Sequence, residues 1–218
     1  MTDISSDILD IHTHLPAPRP DGVIAASPDE LRGLYEQFPK QLWAVGYHPW
    51  EIPSTGLTET QLQTLTEVAG LPRVVAIGET GIDKARIEDI PLFAQINAFN
   101  RHMELARSLA KPLILHAVKA QDVLIPMLRD CGVPVVIHGF RQKPSIADMY
   151  LNAGCYLSYG AQFNADSVAV TPADRLLAET DCNDLTIEAV IGQLRAVRPD
   201  ITTDTIAVNT ARLLRQQL

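Results

Sequence analysis

His12 and His14 stand two residues apart at the end of the apolar run Ile8–His14. In an extended segment residues two apart point to the same side, so two imidazoles can share one space. Four other apolar runs end in side chains of the same chemical kind. Gly78-Glu79-Thr80-Gly81 closes one, His116 follows Pro112–Leu115, His138 follows Val133–Ile137, and Ala178-Glu179-Thr180-Asp181 closes the last. A lone His-x-His is weak, a single histidine after a strand is often a hydrogen-bonded core residue, and a glutamate there often caps a helix. Six ligand-type residues at five run ends, in a chain with six histidines, carry more weight together. Four histidines, a glutamate and an aspartate exceed what one zinc-like ion takes. They suit two divalent ions that share a bridging carboxylate.

The elements that must position these residues are short apolar runs recurring along the chain: Ile8–His14, Gly22–Ser27, Trp43–His48, Val74–Glu79, Pro112–Val118, Val133–Phe140, Cys155–Gly160 and Leu176–Asp181. Their cores do not alternate strictly, as expected of parallel strands covered on both faces. Leu92, Ile96, Phe99, Met103, Ala106 and Ala110 step by three or four, the spacing of an amphipathic helix. Asp122–Cys131, Ser145–Ala153 and Thr186–Val197 read as shorter helices. Ser27-Pro28-Asp29-Glu30 and Thr58-Glu59-Thr60-Gln61 carry capping-box chemistry at two helix starts. No Gly-x-Gly-x-x-Gly follows the first strand, which weakens a dinucleotide-binding sheet. The expected fold is α/β, a (β/α)8 TIM barrel forming one domain over residues 1–218. Its second and seventh units are short: Leu15–Gly22 leaves little before the second strand, and Gln162–Asp174 has room for a short turn of helix. In such a barrel all the proposed ligands end on one face.

The signature His12-x-His14, Gly46-Tyr47-His48-Pro49, Gly78-Glu79-Thr80-Gly81-Ile82-Asp83, Leu115-His116, His138-Gly139-Phe140 and Glu179-Thr180-Asp181 resembles the TatD-type metal-dependent hydrolases, within the amidohydrolase-like barrels. The resemblance runs to Asn209-Thr210-Ala211-Arg212-Leu213, similar to the family's closing helix. It implies that His12, His14 and Asp181 hold one ion and His116 and His138 the other, with Glu79 bridging. It also implies a binuclear Zn²⁺, Mg²⁺ or Mn²⁺ cofactor and phosphodiester hydrolysis, with DNA ends as one substrate class. The chain departs from the family at the mouth: it looks compact, and Ala117-Val118-Lys119 stands where many members carry a Ser-Arg pair.

In this scheme Asp181 and Glu79 are the catalytic carboxylates, Asp181 orienting a water and accepting its proton. Glu179 supports a ligating histidine, with a buried structural carboxylate as the alternative. His48, turned by Pro49, overhangs the site for substrate contact or support rather than ligation. Trp50 packs its loop or stacks a base. Lys84, Lys119, Arg141 and Lys143 can ring the mouth, with Arg141 and Lys143 the better phosphate contacts. Asp83 offsets phosphate binding, Cys182 packs away from the site, and His102 lies on the surface of its helix.

Eighteen basic against 26 acidic side chains give a net charge of −8, so no global field draws a polyanion. Three scattered cysteines, no basic-then-apolar leader and no apolar run of spanning length suggest a cytoplasmic protein without a membrane segment. Two alternatives stay open: hydrolysis of a small ester, lactone or amide on the same metal site, and a catalytically silent binding protein. The sequence leaves the oligomeric state open.

Overall fold

A computed structural model describes residues 8–14 and 20–215. Eight parallel strands close into a barrel in chain order. They are β1 (Asp10–Thr13), β2 (Gly22–Ala26), β3 (Leu42–Val45), β4 (Val74–Asp83), β5 (Leu113–Val118), β6 (Val135–Ile137), β7 (Tyr156–Tyr159) and β8 (Leu176–Ala178). Around them run α1 (Pro28–Leu34), α2 (Glu59–Ala69), α3 (Leu92–Leu109), α4 (Gln121–Leu128), α5 (Pro144–Asn152), α6 (Ala165–Val170), α7 (Ile187–Val197) and α8 (Thr203–Arg215). Each of the eight expected strands is present, so the barrel expected from the sequence is the fold observed. The seventh unit is short, as α6 has six residues. Five of the residues expected to make the first connection brief, 15–19, lie outside the described residues, as do residues 1–7 of the leader reading. Among the described residues no helix is long and apolar enough to cross a membrane.

Both expected capping boxes form. Ser27 Oγ accepts from Glu30 N while Glu30 accepts from Ser27 N, and Thr58 and Gln61 make the same exchange. Each such cap contributes about 1 kcal/mol.

Alternation along the strands divides the core in two. Leu113, Leu115, Val135, Ile137, Leu176 and Ala178 belong to the large cluster shared with the helices. Ile114, Val136 and Leu177, one residue out of phase, belong to a smaller cluster with Ile11, Val23 and Ala44. That second phase is the barrel interior, where side chains fill the lumen. Two residues further along the same phase come His116, His138 and Glu179. The strand period that packs the lumen therefore also delivers polar side chains to its open end.

β4 differs from the sequence expectation by running on through Glu79 to Asp83. Its pairing with β5 shifts between Ile77 and Thr80. Gly78 (φ +146°) and Gly81 (φ +139°) flank this shift, and a Cβ on either would collide with the carbonyls of Ile114 or His116. Only glycine lets β4 approach β5 this closely, which sets Glu79 beside His116.

Candidate metal centre

Glu79 is buried at the centre of the polar cluster, and its two oxygens face different imidazoles. Oε2 lies 3.3 Å from His12 Nε2 and 3.6 Å from His14 Nε2. Oε1 lies 2.9 Å from His116 Nδ1, 2.8 Å from His138 Nε2 and 3.0 Å from His48 Nε2. Asp181 Oδ1 stands 3.5 Å from His14 Nε2 and 3.8 Å from His12 Nε2, on the Oε2 side. Metal-compatible groupings include His12–His14–Asp181, His12–Glu79–His138 and His48–Glu79–His116. This donor set supports divalent metal binding.

The donor chemistry fits an ion. Both ring nitrogens of His12 are buried without a hydrogen-bond partner, which is costly for an imidazole left to itself. Burial works to raise the Glu79 carboxyl, but the charge of His138 and the close imidazoles of His116 and His12 hold it well below the usual range. Burial pushes the His12 imidazole down, favouring the neutral ring that a ligand needs.

Three further groups fix ring orientation. Glu179 Oε1 accepts from Gly139 N at 2.6 Å and stands 3.4 Å from His138 Nδ1, leaving Nε2 toward Glu79. Asp83 does the same for His116, its Oδ2 standing 3.3 Å from Nε2 while Nδ1 faces Glu79. Asp83 is itself held by the Trp50 indole, whose Nε1–H donates to Oδ2 at 2.7 Å, and by Gln95, which accepts from its backbone N–H. Such outer contacts select the tautomer that exposes the free nitrogen.

Several sequence expectations are corrected here. The His48 ring reaches into the cluster, its Nε2 3.0 Å from Glu79 Oε1. The reason is that Pro49–Glu51 forms a single turn of 3-10 helix capped by His48, whose Nδ1 accepts the Trp50 N–H at 3.1 Å. A neutral ring then carries its proton on Nε2 and points a donor, not a lone pair, into the cluster. His102 is fully buried rather than on the surface, with Nε2 accepting the Tyr47 N–H at 3.0 Å and Nδ1–H donating to Ala98 O at 2.8 Å. Asp83, buried where it lines the cavity, stands 3.3 Å from His116 Nε2. Cys182 is exposed and lines the cavity, because the chain leaves β8 after Ala178 and Asp181 adopts φ +51°. Lys84 is engaged by Asp122 at 2.8 Å, and Lys143 caps α5 outside the cavity lining.

The cluster forms the floor of a cavity of about 890 Å³, whose walls include Trp50, Lys119, Arg141, Gln162 and Asn183. Arg141 lies 3.4 Å from Gln162 Oε1, and Lys119 adopts φ +52° at the end of β5. Trp50 is 53% exposed and faces this space, whereas Trp43 is wholly buried.

Asp10 went unread in the sequence. Buried in β1, it accepts from His12 N (3.3 Å) and Thr180 N (3.1 Å) through Oδ1, and from the Thr180 hydroxyl (2.6 Å) through Oδ2. Burial pushes its carboxyl up to about 7 against those hydrogen bonds. Its signal was present: a third polar residue in step with His12 and His14.

Comparison with known proteins bears on this geometry. The family model described as TatD related DNase matches residues 10–214. An uncharacterized metal-dependent hydrolase, YabD of Bacillus subtilis (strain 168), is 31% identical over 153 residues, covering 66% of this chain and 59% of the relative. The 3′-5′ ssDNA/RNA exonuclease TatD of Erwinia billingiae (strain Eb661) is 34% identical over 175 residues, 73% of this chain and 65% of the relative. The chain thus spans less than two thirds of these relatives' length. The crystal structure of YJJV, a TatD homolog from Escherichia coli K12, superposes with a TM-score of 0.78 at 22% identity. It covers 96% of this chain and 98% of that one, a likeness of fold.

Proposed function

The chain belongs to the TatD-related DNase family, and from that membership we propose that it is a divalent-metal-dependent hydrolase cleaving phosphodiesters at nucleic acid ends. The observation that carries the reading is the division of labour at Glu79. One oxygen faces His12 and His14, the other His116 and His138, as a carboxylate shared by two ions requires. His12, His14 and Asp181 would hold one ion and His116 and His138 the second.

Two such ions, Zn²⁺, Mg²⁺ or Mn²⁺, would supply Lewis acidity at the phosphoryl group and lower the pKa of the attacking water. The protein's own groups do the rest. Asp181, partly exposed on the cavity floor, orients that water and accepts its proton. His48 offers its Nε2–H to a phosphoryl oxygen, its tautomer set by the Trp50 N–H. Glu179 and Asp83 keep His138 and His116 turned so that one nitrogen of each faces Glu79. Lys119 and Arg141, both on the cavity wall, attract the phosphate from the side of β5 and β6, which favours an anionic substrate over a neutral ester.

Two wall cations among the described residues, on a chain of net charge −8, support gripping a short terminal segment rather than a long duplex. The test is an activity matrix. Protein replete with each metal is offered phosphodiester, phosphomonoester and ester substrates and single-stranded DNA, with Glu79→Gln as control. Cleavage of diesters that Glu79→Gln abolishes is expected. Ester hydrolysis exceeding diester hydrolysis would overturn the reading.

A further inference from the structure

Resting on the phosphodiesterase reading, we propose that Trp50 is the platform on which the nucleobase next to the scissile phosphate stacks, making it the residue that prefers nucleoside esters over plain phosphodiesters. An indole is costly to leave in water, yet 53% of Trp50 is exposed on the cavity wall while the chain's other tryptophan is wholly buried. The exposure is not looseness. Nε1–H is tied to Asp83 Oδ2 at 2.7 Å, and the Arg86 guanidinium sits over one face of the ring, 4.8 Å from its centre, which leaves the opposite face for a base. Such an anchored ring loses little conformational freedom on stacking, which is what makes a stacking surface effective.

Its position fits a base adjacent to the reaction centre. The Trp50 ring centre is 4.8 Å from that of His48 and 5.8 Å from that of His116. A phosphate held over the histidine cluster therefore places an attached nucleoside within reach of the indole. The same indole braces the Asp83 carboxylate that orients His116, so the platform and the cluster keep a fixed spacing. Stacking is indifferent to base identity, because every base has a π-face.

Two measurements test this. The first compares thymidine 5′-(p-nitrophenyl) phosphate with methyl p-nitrophenyl phosphate, which share a leaving group and differ in the nucleoside. The metal-replete wild type is expected to favour the thymidine ester in kcat/KM by about tenfold. Trp50→Leu should lose that preference, whereas Trp50→Phe, which keeps a ring but not the bond to Asp83, should retain most of it. An equal fall on both esters in Trp50→Leu, with the ratio kept, would overturn the proposal. The second measurement is Zn²⁺-replete protein titrated with thymidine 5′-monophosphate and followed by tryptophan emission. Saturable quenching in wild type and none in Trp50→Phe, where only buried Trp43 emits, is expected. No quenching in wild type, or quenching that persists in Trp50→Phe, would overturn the platform. If neither ester is cleaved, the phosphodiesterase reading fails while the emission titration still decides Trp50.

Discussion

Asp10 Oδ2 accepts the hydroxyl proton of Thr180 at 2.6 Å, joining the first strand to the segment after the eighth across 170 positions. Strand pairing at this seam is sparse: Asp10 registers with Ala178, and one isolated bridge joins Thr13 to Asp181. The side-chain clasp thus helps hold His12 and Asp181 on either side of the barrel's closure. Asp10→Ala leaves two buried N–H groups unpaired, at about 1–3 kcal/mol each. We expect a lower thermal midpoint together with weaker metal binding in calorimetric titration. Because burial already holds the Asp10 carboxyl near neutrality, Asp10→Asn should lose much less. Equal losses in both variants would contradict the clasp.

Asp83 links Trp50 to His116, so its removal should act on the metal side without opening the barrel. Loss of such an orienting contact typically costs 10–100-fold in metal affinity or activity. Asp83→Asn is expected to show about that loss with an unchanged far-ultraviolet circular dichroism spectrum. Unaltered metal affinity and activity would contradict the orienting role.

Stability should carry an acid signature from His102. Burial pushes its imidazole from 6.5 down to about 4. Across that window the unfolded chain binds the proton and the folded chain does not, so stability falls as pH drops from about 6.5 to about 4 and is unaffected above. The contribution is about 3 kcal/mol. Urea unfolding at intervals of pH should show this slope in wild type and its loss in His102→Gln. The same slope in both proteins would contradict the assignment.

Salt dependence should be shallow. Among the described residues Lys119 and Arg141 are the cations on the cavity wall, so about two phosphates are neutralised. The slope of log K against log salt for a single-stranded oligonucleotide is then about −1.4. Fluorescence anisotropy measures it, and a slope several-fold steeper would point to a larger basic track.

The barrel was legible because each strand is buried on both faces, leaving compact apolar runs, and because lumen-phase residues such as Ile114 and Val136 stand two before His116 and His138. What escaped was polar burial. Distance from every strand end puts His102 on the surface, although Gln95, Phe99, His102 and Ala106 step by four, three and four along the buried stripe of α3. Hydrophobicity marked Phe99 and Ala106 but not Gln95 and His102, which are inside because Asp83 and Tyr47 supply their hydrogen-bond partners. Pro49 ends strand geometry, which by itself sets His48 at the rim. That same proline starts the helical turn whose cap turns the imidazole back over Glu79. The partners of Gln95 and His102 lie 12 and 55 positions away, and local spacing carries no trace of them.

The central claim is that Glu79 joins two metal positions. Metal-replete protein, freed of excess ion by gel filtration, should hold about two divalent ions per chain by elemental analysis, and Glu79→Gln should hold at most one. A wild-type content of one ion or none, or two ions retained in Glu79→Gln, would contradict the shared carboxylate.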